Sequence, residues 1–144
     1  MKVRQNSIFD VSDSYIKVAI DRLRPKADGI HCINCGITLP KKRRTFCSDK
    51  CYKENFDKFD WNTVKKRIME RDGHKCKHNG CHKTIELSVH HIKPVRQFPE
   101  LVLEESNLIT LCRCHHEFLE KNTLPKGQTL LEVANQNEHN IPKT

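Results

Sequence analysis

Two pairs of adjacent histidines are the residues of this chain best suited to chemistry, His90–His91 in LSVHHIKP and His115–His116 in CRCHHEFLE. LSVHHIKP alternates like a β-strand, in which neighbours point to opposite faces, so His90 and His91 should have different partners. If His90 coordinates a metal ion together with His116, His91 is left to act as a general base. An imidazole with an unperturbed pKa of about 6.5 is suited to take a proton from water at neutral pH. The pattern therefore indicates metal-assisted hydrolysis.

The second histidine pair lies in a segment that should be helical, where residues three or four apart share one face. Cys112 and His115 would point to one side of this helix. His116 and Glu120 would point to another side, so that one helix serves two metal ions and the second ion also takes one of the strand histidines. Cys114 is the alternative to His115 if the chain is not yet helical at Cys112. The first of these sites would be closed and structural, with the ligands Cys76, Cys81, Cys112 and His115.

An earlier group of cysteines has the spacing of a further zinc site. Cys32 and Cys35 form a C-x2-C pair that is followed by Gly36. Cys47 and Cys51 form a C-x3-C pair at the start of a predicted helix. Tetrahedral zinc favours two such pairs, and four thiolates leave no open position, so this zinc would stabilise the fold. His31 should be a neighbour of this module rather than a ligand, and His78 and His82 should be exposed polar residues of the later knuckle formed by Cys76 and Cys81.

The composition indicates why metal ions would be needed. The chain has 144 residues, of which 36% are hydrophobic and 6% aromatic, and so small a core usually needs cross-links. No apolar run approaches the roughly 20 residues that span a bilayer, and the N-terminus lacks a secretory signal. We therefore predict a cytoplasmic protein without membrane contact, whose 8 cysteines stay reduced and bind metal.

Positive charge is concentrated in the middle of the chain. Residues 41–77 contain 13 Lys or Arg and 6 Asp or Glu, a net of +7 within a formal total of +8. A concentrated basic block is the electrostatic pattern of a nucleic-acid binder, so DNA is the predicted partner. The candidate contacts to DNA, in this block and just beyond the first histidine pair, are Arg43, Arg44, Lys65, Lys66, Lys93 and Arg96.

The elements that must position these residues can be read from the pattern. Asp60 can cap a helix whose apolar residues Trp61, Val64 and Ile68 share a face. After a cysteine knuckle, a strand pair fits residues 84–92, a short strand fits residues 108–111, and a helix carries the second histidine pair. In SDSYIKVAIDRL the apolar residues fit a helix or a strand, and their alternation favours an extended arm. The predicted units are an N-terminal arm (1–29), a four-cysteine zinc module (30–58), a domain with both histidine pairs (59–125) and a polar tail (126–144).

The segment WNTVKKRIMERDGHKCKHNGC, followed by LSVHHIKP and then by ESNLITLCRCHHEFLE, resembles the HNH endonucleases. The similarity runs from residue 61 to about residue 120 and keeps the family's motif order. It implies a ββα-metal core, in which a hairpin and a helix surround one divalent ion, within a small zinc-stabilised α+β protein. The N-terminal module resembles the treble-clef-like zinc knuckles found ahead of HNH domains in some phage and bacterial proteins.

The resemblance implies a DNA endonuclease that hydrolyses phosphodiester bonds in a bacterial or phage-infected cell. His91 would be the general base, and His90 and His116 would bind Mg²⁺ or Mn²⁺. Asn107 would organise the loop and orient the base histidine. Glu120 lies where the family often has a further His or Asn ligand, and a carboxylate suits either ion. Two structural Zn²⁺ ions complete the implied set of cofactors.

Two other interpretations stay open at this point. A catalytically silent zinc-ribbon DNA-binding protein shares the basic block and both zinc sites, but it does not need His90, His91 and Asn107 in motif order. A protein-interaction zinc module explains the cysteines but not the positive charge. A cleavage assay with added Mg²⁺ separates an enzyme from either of them.

Overall fold

The computed structural model describes residues 12–121, with the backbone alone at residues 120 and 121. In this range the chain is a small α+β fold of four α-helices and one two-stranded sheet, as predicted at that level. The elements are α1 (Asp13–Leu23), α2 (Asp49–Phe59), α3 (Trp61–Arg71), β1 (Leu87–His91), β2 (Leu108–Cys112) and α4 (Arg113–Lys121). None of the described helices is long and apolar enough to cross a membrane. The predictions for the tail at residues 126–144 lie outside the described residues.

The predicted extended arm is wrong from residue 13 onward, where α1 begins. Ser12 caps this helix, because its hydroxyl accepts the N–H of Tyr15. Ile16 and Ile20 are one helical turn apart and are 6% and 2% exposed, whereas Val18 between them is 48% exposed. The buried residues therefore have helical spacing. The packing of this helix face against the rest of the core outweighs the strand preference of β-branched residues.

The helices α2 and α3 follow each other with a single break at Asp60, as the capping pattern predicts. Asp60 has an extended backbone, and its carboxylate accepts the N–H of Thr63 at 2.8 Å. The predicted apolar face of α3 is confirmed, because Trp61, Val64 and Ile68 are at most 3% exposed. The two-stranded sheet packs against this face of α3.

The sheet is a single antiparallel pair in which His90 is opposite Ile109 and His91 is opposite Leu108. The strand pair predicted at residues 84–92 is one strand, because the chain bends at Glu86, whose φ is 50°. The long β1–β2 connection contains two 3-10 turns, Pro99–Leu101 and Glu105–Asn107.

The two faces of the sheet pack against different apolar clusters. Leu108 belongs to a core formed with α1 and α3, whereas Ile109 belongs to a second core with residues of α4 and the cysteine knuckle. Residues opposite each other in a ladder point to the same face. The two adjacent histidines of β1 consequently face different halves of the molecule.

Candidate functional site

The four cysteines of the N-terminal module form one cluster that could hold a metal ion. Their sulfur atoms all lie within 4.8 Å of one another, with 3.6 Å from Cys35 to Cys47 and 3.5 Å from Cys47 to Cys51. Gly36 closes the first knuckle with φ 77°, a conformation that costs glycine little. The side chain of Ser48 caps α2 and accepts the N–H of Cys51 at 3.2 Å. The cluster therefore joins a loop to the first turn of α2.

The second cluster that could hold a metal ion consists of Cys76, Cys81, Cys112 and His115, again with ligand atoms within 4.8 Å of one another. Nδ1 of His115 is 3.4 Å from the sulfur of Cys76 and 3.2 Å from that of Cys112. Burial lowers the pKa of His115 to about 4, and the neighbouring His78 adds to this effect. A neutral imidazole keeps the lone pair that a metal ligand needs.

Cys114 does not join the second cluster. Its side chain is exposed, and its sulfur is 3.5 Å from the ammonium group of Lys83. The prediction that Cys112 lies in the helix is wrong, because Cys112 is the last residue of β2 and α4 begins at Arg113. The structure nevertheless groups His115 rather than Cys114 with the other three candidate ligands.

His78 is not the exposed polar residue that the sequence suggested. It is 4% exposed, and its ring is stacked on that of His115 with centroids 4.0 Å apart and an angle of 4° between the planes. Two parallel rings at this distance cannot both direct an in-plane lone pair at one ion. His78 therefore packs on a candidate ligand, whereas His82 is exposed as predicted, and His31 pairs with Asp28 at 2.7 Å.

The side chain of His90 on β1 lies next to that of His116 on α4. The rings of His90 and His116 have centroids 3.7 Å apart and planes at 78°. Burial, followed by repulsion from His116 and His91, lowers the pKa of His90 to about 3. His90 is therefore neutral at physiological pH and can offer a lone pair to a cation without first losing a proton.

His91, the next residue of β1, is held on the opposite face of the sheet. The ring of His91 is stacked on Trp61 with centroids 5.3 Å apart and an angle of 17°. Its Nε2 lies 3.0 Å from the carbonyl oxygen of Val102, and since a carbonyl can only accept, Nε2 carries the proton. Burial lowers the pKa of His91, although the bond to Val102 acts in the opposite direction. Nδ1 is the ring nitrogen that keeps a lone pair.

Asn107 fixes the loop that supplies this carbonyl group. Its side chain is 5% exposed and accepts the N–H of Lys93 at 2.7 Å. The same amide donates to the carbonyl groups of Lys93 at 3.2 Å and Leu101 at 3.3 Å. Both ends of the β1–β2 connection are thereby joined next to Val102.

His90, His91 and His116 all line one cleft of about 510 Å³. Every residue of β1 lines this cleft, so side chains from both faces of the strand contribute to it. Two of the predicted DNA contacts, Lys65 and Lys66, also line it. Trp61 and His74 line the cleft as well, and the sequence pattern did not assign them to the site. Trp61 was predicted as a core residue, which it also is, and His74 carries no local signal because it follows a helix end.

The other predicted DNA contacts lie away from the cleft lining. Arg43 is paired with Asp49 at 3.0 Å in the N-terminal module, and Arg44 is exposed on the same loop. Lys93 lies over the ring of Phe98, and Arg96 lies over the ring of Tyr15 at 5.2 Å. The side chain of Glu120, the predicted third ligand of the catalytic ion, lies outside the described residues.

Comparison with known proteins returned nothing: no protein-family model matches the chain, and no curated protein or solved structure is significantly similar to it.

Proposed function

We propose that this chain is a metal-dependent DNA endonuclease of the HNH type, which hydrolyses phosphodiester bonds. One observation carries the proposal. The ring centroids of His90 and His116 are 3.7 Å apart, and His91, which has other partners, lines the same cleft. Adjacent residues of one strand thus have separate partners within one site. A purely structural role for these histidines gives no reason for three such rings to line a cleft with two lysines.

The donor set fits a catalytic divalent ion. Two imidazoles supply only part of a coordination sphere, which leaves positions for water and a phosphate oxygen, as a catalytic site requires. His90 and His116 would hold Mg²⁺ or Mn²⁺. When bound, the ion would stabilise the negative charge that develops on the phosphoryl group and on the leaving oxygen.

His91 is the proposed general base, and its surroundings prepare it for that role. The hydrogen bond from Nε2 to Val102 fixes the tautomer, and stacking on Trp61 fixes the plane of the ring. Nδ1 can then take a proton from the attacking water. Lys65 and Lys66 would bind the phosphates on either side of the scissile bond.

Zinc is the ion we propose for both cysteine clusters, because all-sulfur and three-sulfur, one-nitrogen sets are the usual ligands of structural zinc. The second zinc would also position the catalytic helix. Cys112 and His115 are among its ligands, and His116 is the next residue of α4. The start of the helix is therefore fixed one residue before the catalytic ligand.

The test is the cleavage of plasmid DNA with added Mg²⁺ or Mn²⁺. We expect His91→Ala to reduce cleavage by about 10²–10⁴-fold, the usual contribution of a general base, with zinc content and folding unchanged. His82→Ala, at an exposed histidine, should cleave like the unaltered protein. Cleavage that survives His91→Ala would refute the base assignment. A wild-type protein that shifts DNA on a gel but never nicks it would favour the silent zinc-ribbon binder.

A further inference from the structure

A row of aromatic side chains lies on the surface of the N-terminal module. The row consists of Phe46, Tyr52 and Phe56, which we call the aromatic row. Tyr52 contacts Phe46 edge-on at 5.4 Å between centroids, and it lies beside Phe56 at 6.3 Å with 30° between the planes. Tyr52 and Phe56 are 55% and 45% exposed. Adjacent exposed rings of this kind are unusual for side chains that normally bury most of their surface.

The aromatic row is adjacent in sequence to the first cysteine cluster. Phe46 directly precedes Cys47, and Tyr52 directly follows Cys51, so two candidate metal ligands flank the contact between these rings. Tyr52 and Phe56 are four residues apart on α2 and share one face of that helix. A metal ion bound to these cysteines would fix the backbone beside both rings before any partner arrives, which reduces the entropy lost on binding.

Positive charge is concentrated on the loop that leads into the aromatic row. Residues 41–58, which include all three rings, contain seven Lys or Arg and three Asp or Glu. Arg43 is paired with Asp49, whereas Lys41, Lys42 and Arg44 are exposed on this loop. A partner that offers negative charge beside flat apolar faces matches this surface, and unpaired nucleotides have both properties.

We propose that the aromatic row binds single-stranded DNA, with unpaired bases stacked on Tyr52 and Phe56 and phosphates bound by the basic loop. Base faces inside a duplex are already covered by their neighbours, so the surface should prefer unpaired nucleotides. None of the three rings lines the cleft that contains His90, His91 and His116, which we call the histidine cleft. The aromatic row would therefore be a second contact with nucleic acid. The inference rests on the proposed function for its choice of DNA over other polymers.

The experiment measures the affinity of the full chain for a fluorescently labelled single-stranded oligonucleotide by anisotropy, without added Mg²⁺ or Mn²⁺. We expect Tyr52→Leu to weaken binding by about five- to a hundredfold, the range for loss of one stacked base. Tyr52→Phe, which keeps the ring, is the matched control and should bind within about twofold of the unaltered protein. Affinity for a blunt duplex of the same sequence should not change in either variant.

Zinc content and circular dichroism establish that both variants are folded, since Leu and Phe are acceptable at an exposed helix position. Unchanged single-strand affinity in Tyr52→Leu overturns the inference, as does an equal loss of duplex affinity. Loss of self-association in sedimentation, with DNA binding intact, would instead make the aromatic row a contact between copies of the chain. Tighter binding of RNA of the same sequence would overturn the choice of DNA.

The outcome is separable from that of the proposed function. A protein that never cleaves DNA but loses single-strand binding in Tyr52→Leu supports the aromatic row and refutes the endonuclease. A protein whose cleavage depends on His91, but whose single-strand affinity ignores Tyr52, does the reverse.

Discussion

The two cysteine clusters have similar candidate ligands but connect different parts of the molecule. In the N-terminal module, two cysteines are buried and Cys35 is exposed, and the cluster joins a surface loop to α2 without belonging to either apolar core of the described residues. In the second cluster, Cys76 and Cys112 are buried and belong to an apolar core shared with β2 and α4. Its candidate ligand His115 directly precedes His116. The first cluster therefore stabilises its own module, whereas the second connects the core to the candidate catalytic site.

Loss of a ligand in the second cluster should have the largest effect. We expect Cys112→Ser to release one metal ion per chain and to unfold the hairpin–helix unit, because a structural zinc supplies on the order of 10 kcal/mol of folding free energy. That exceeds or equals the whole stability of many domains, which is about 5–15 kcal/mol. Metal analysis and circular dichroism measure these two consequences, and plasmid cleavage should be lost with the folded unit.

The matched variant in the first cluster is Cys35→Ser. It should also lower the metal content by one ion per chain, but the histidine cleft and the cleavage of duplex DNA should persist. Equal loss of cleavage in the two variants would contradict the division of roles between the clusters.

A smaller effect is expected at Asp72, which joins the end of α3 to β2. Its carboxylate accepts the N–H of Thr110 at 2.9 Å and Nε of Arg71 at 2.8 Å. Burial alone would raise the pKa of Asp72, but the hydrogen bonds from Arg71 and Thr110 outweigh it and hold the pKa below 3.8. We expect Asp72→Asn to lower the free energy of unfolding at pH 7 by roughly 1–3 kcal/mol.

The pH dependence of the Asp72 effect has a definite sign. Because the pKa is lower in the folded chain, the contribution of Asp72 is present above the unfolded value of 3.8 and is lost as pH falls through the folded value. The difference between Asp72→Asn and the unaltered protein in urea titrations should therefore shrink below about pH 3.8. The comparison is limited to pH values at which both proteins keep their metal ions and stay folded. A difference that grows as pH falls within this range would contradict this assignment.

The smallest effect should come from the cap of α2. Ser48→Ala removes the acceptor for the N–H of Cys51, and we expect a loss of about 1 kcal/mol in the free energy of unfolding. The first cluster should then release its metal faster to a chelator, while the second cluster is unaffected. Ser12→Ala, which removes the cap of a helix without cysteine ligands, is the control. Faster release from both clusters in Ser48→Ala would show that they are not independent.

Local patterns predicted much of the fold and of the ligand sets. The cap at Asp60, the apolar face of α3 and the helix after β2 depend on residues within one or two turns of each other. The cysteine pairs are likewise short-range features. The i, i+3 spacing predicted that Cys112 and His115 belong to one cluster, although Cys112 is the last residue of β2 and is not part of the helix. Such features can be predicted because the residues that interact are also close together in the sequence.

Other features could not be read because their cause lies far away along the chain. The arm around Ile16 and Ile20 is helical because a distant core buries one of its faces. His78 is buried because α4 brings His115 against its ring. The acceptor for His91 is the backbone carbonyl of Val102, which leaves no trace in residue type at all.

We propose that His90 and His116 share a divalent ion that stabilises charge on the phosphate, while the neighbouring His91 deprotonates the attacking water. The most direct measurement is a Mn²⁺ titration followed by electron paramagnetic resonance, with the zinc-loaded chain and duplex DNA, beside cleavage of the same samples. We predict one bound Mn²⁺ per chain and parallel saturation of cleavage, with both lost in His116→Ala while two zinc ions are retained. Absence of Mn²⁺ binding in the unaltered protein, or cleavage that is unchanged in His116→Ala, would contradict the account.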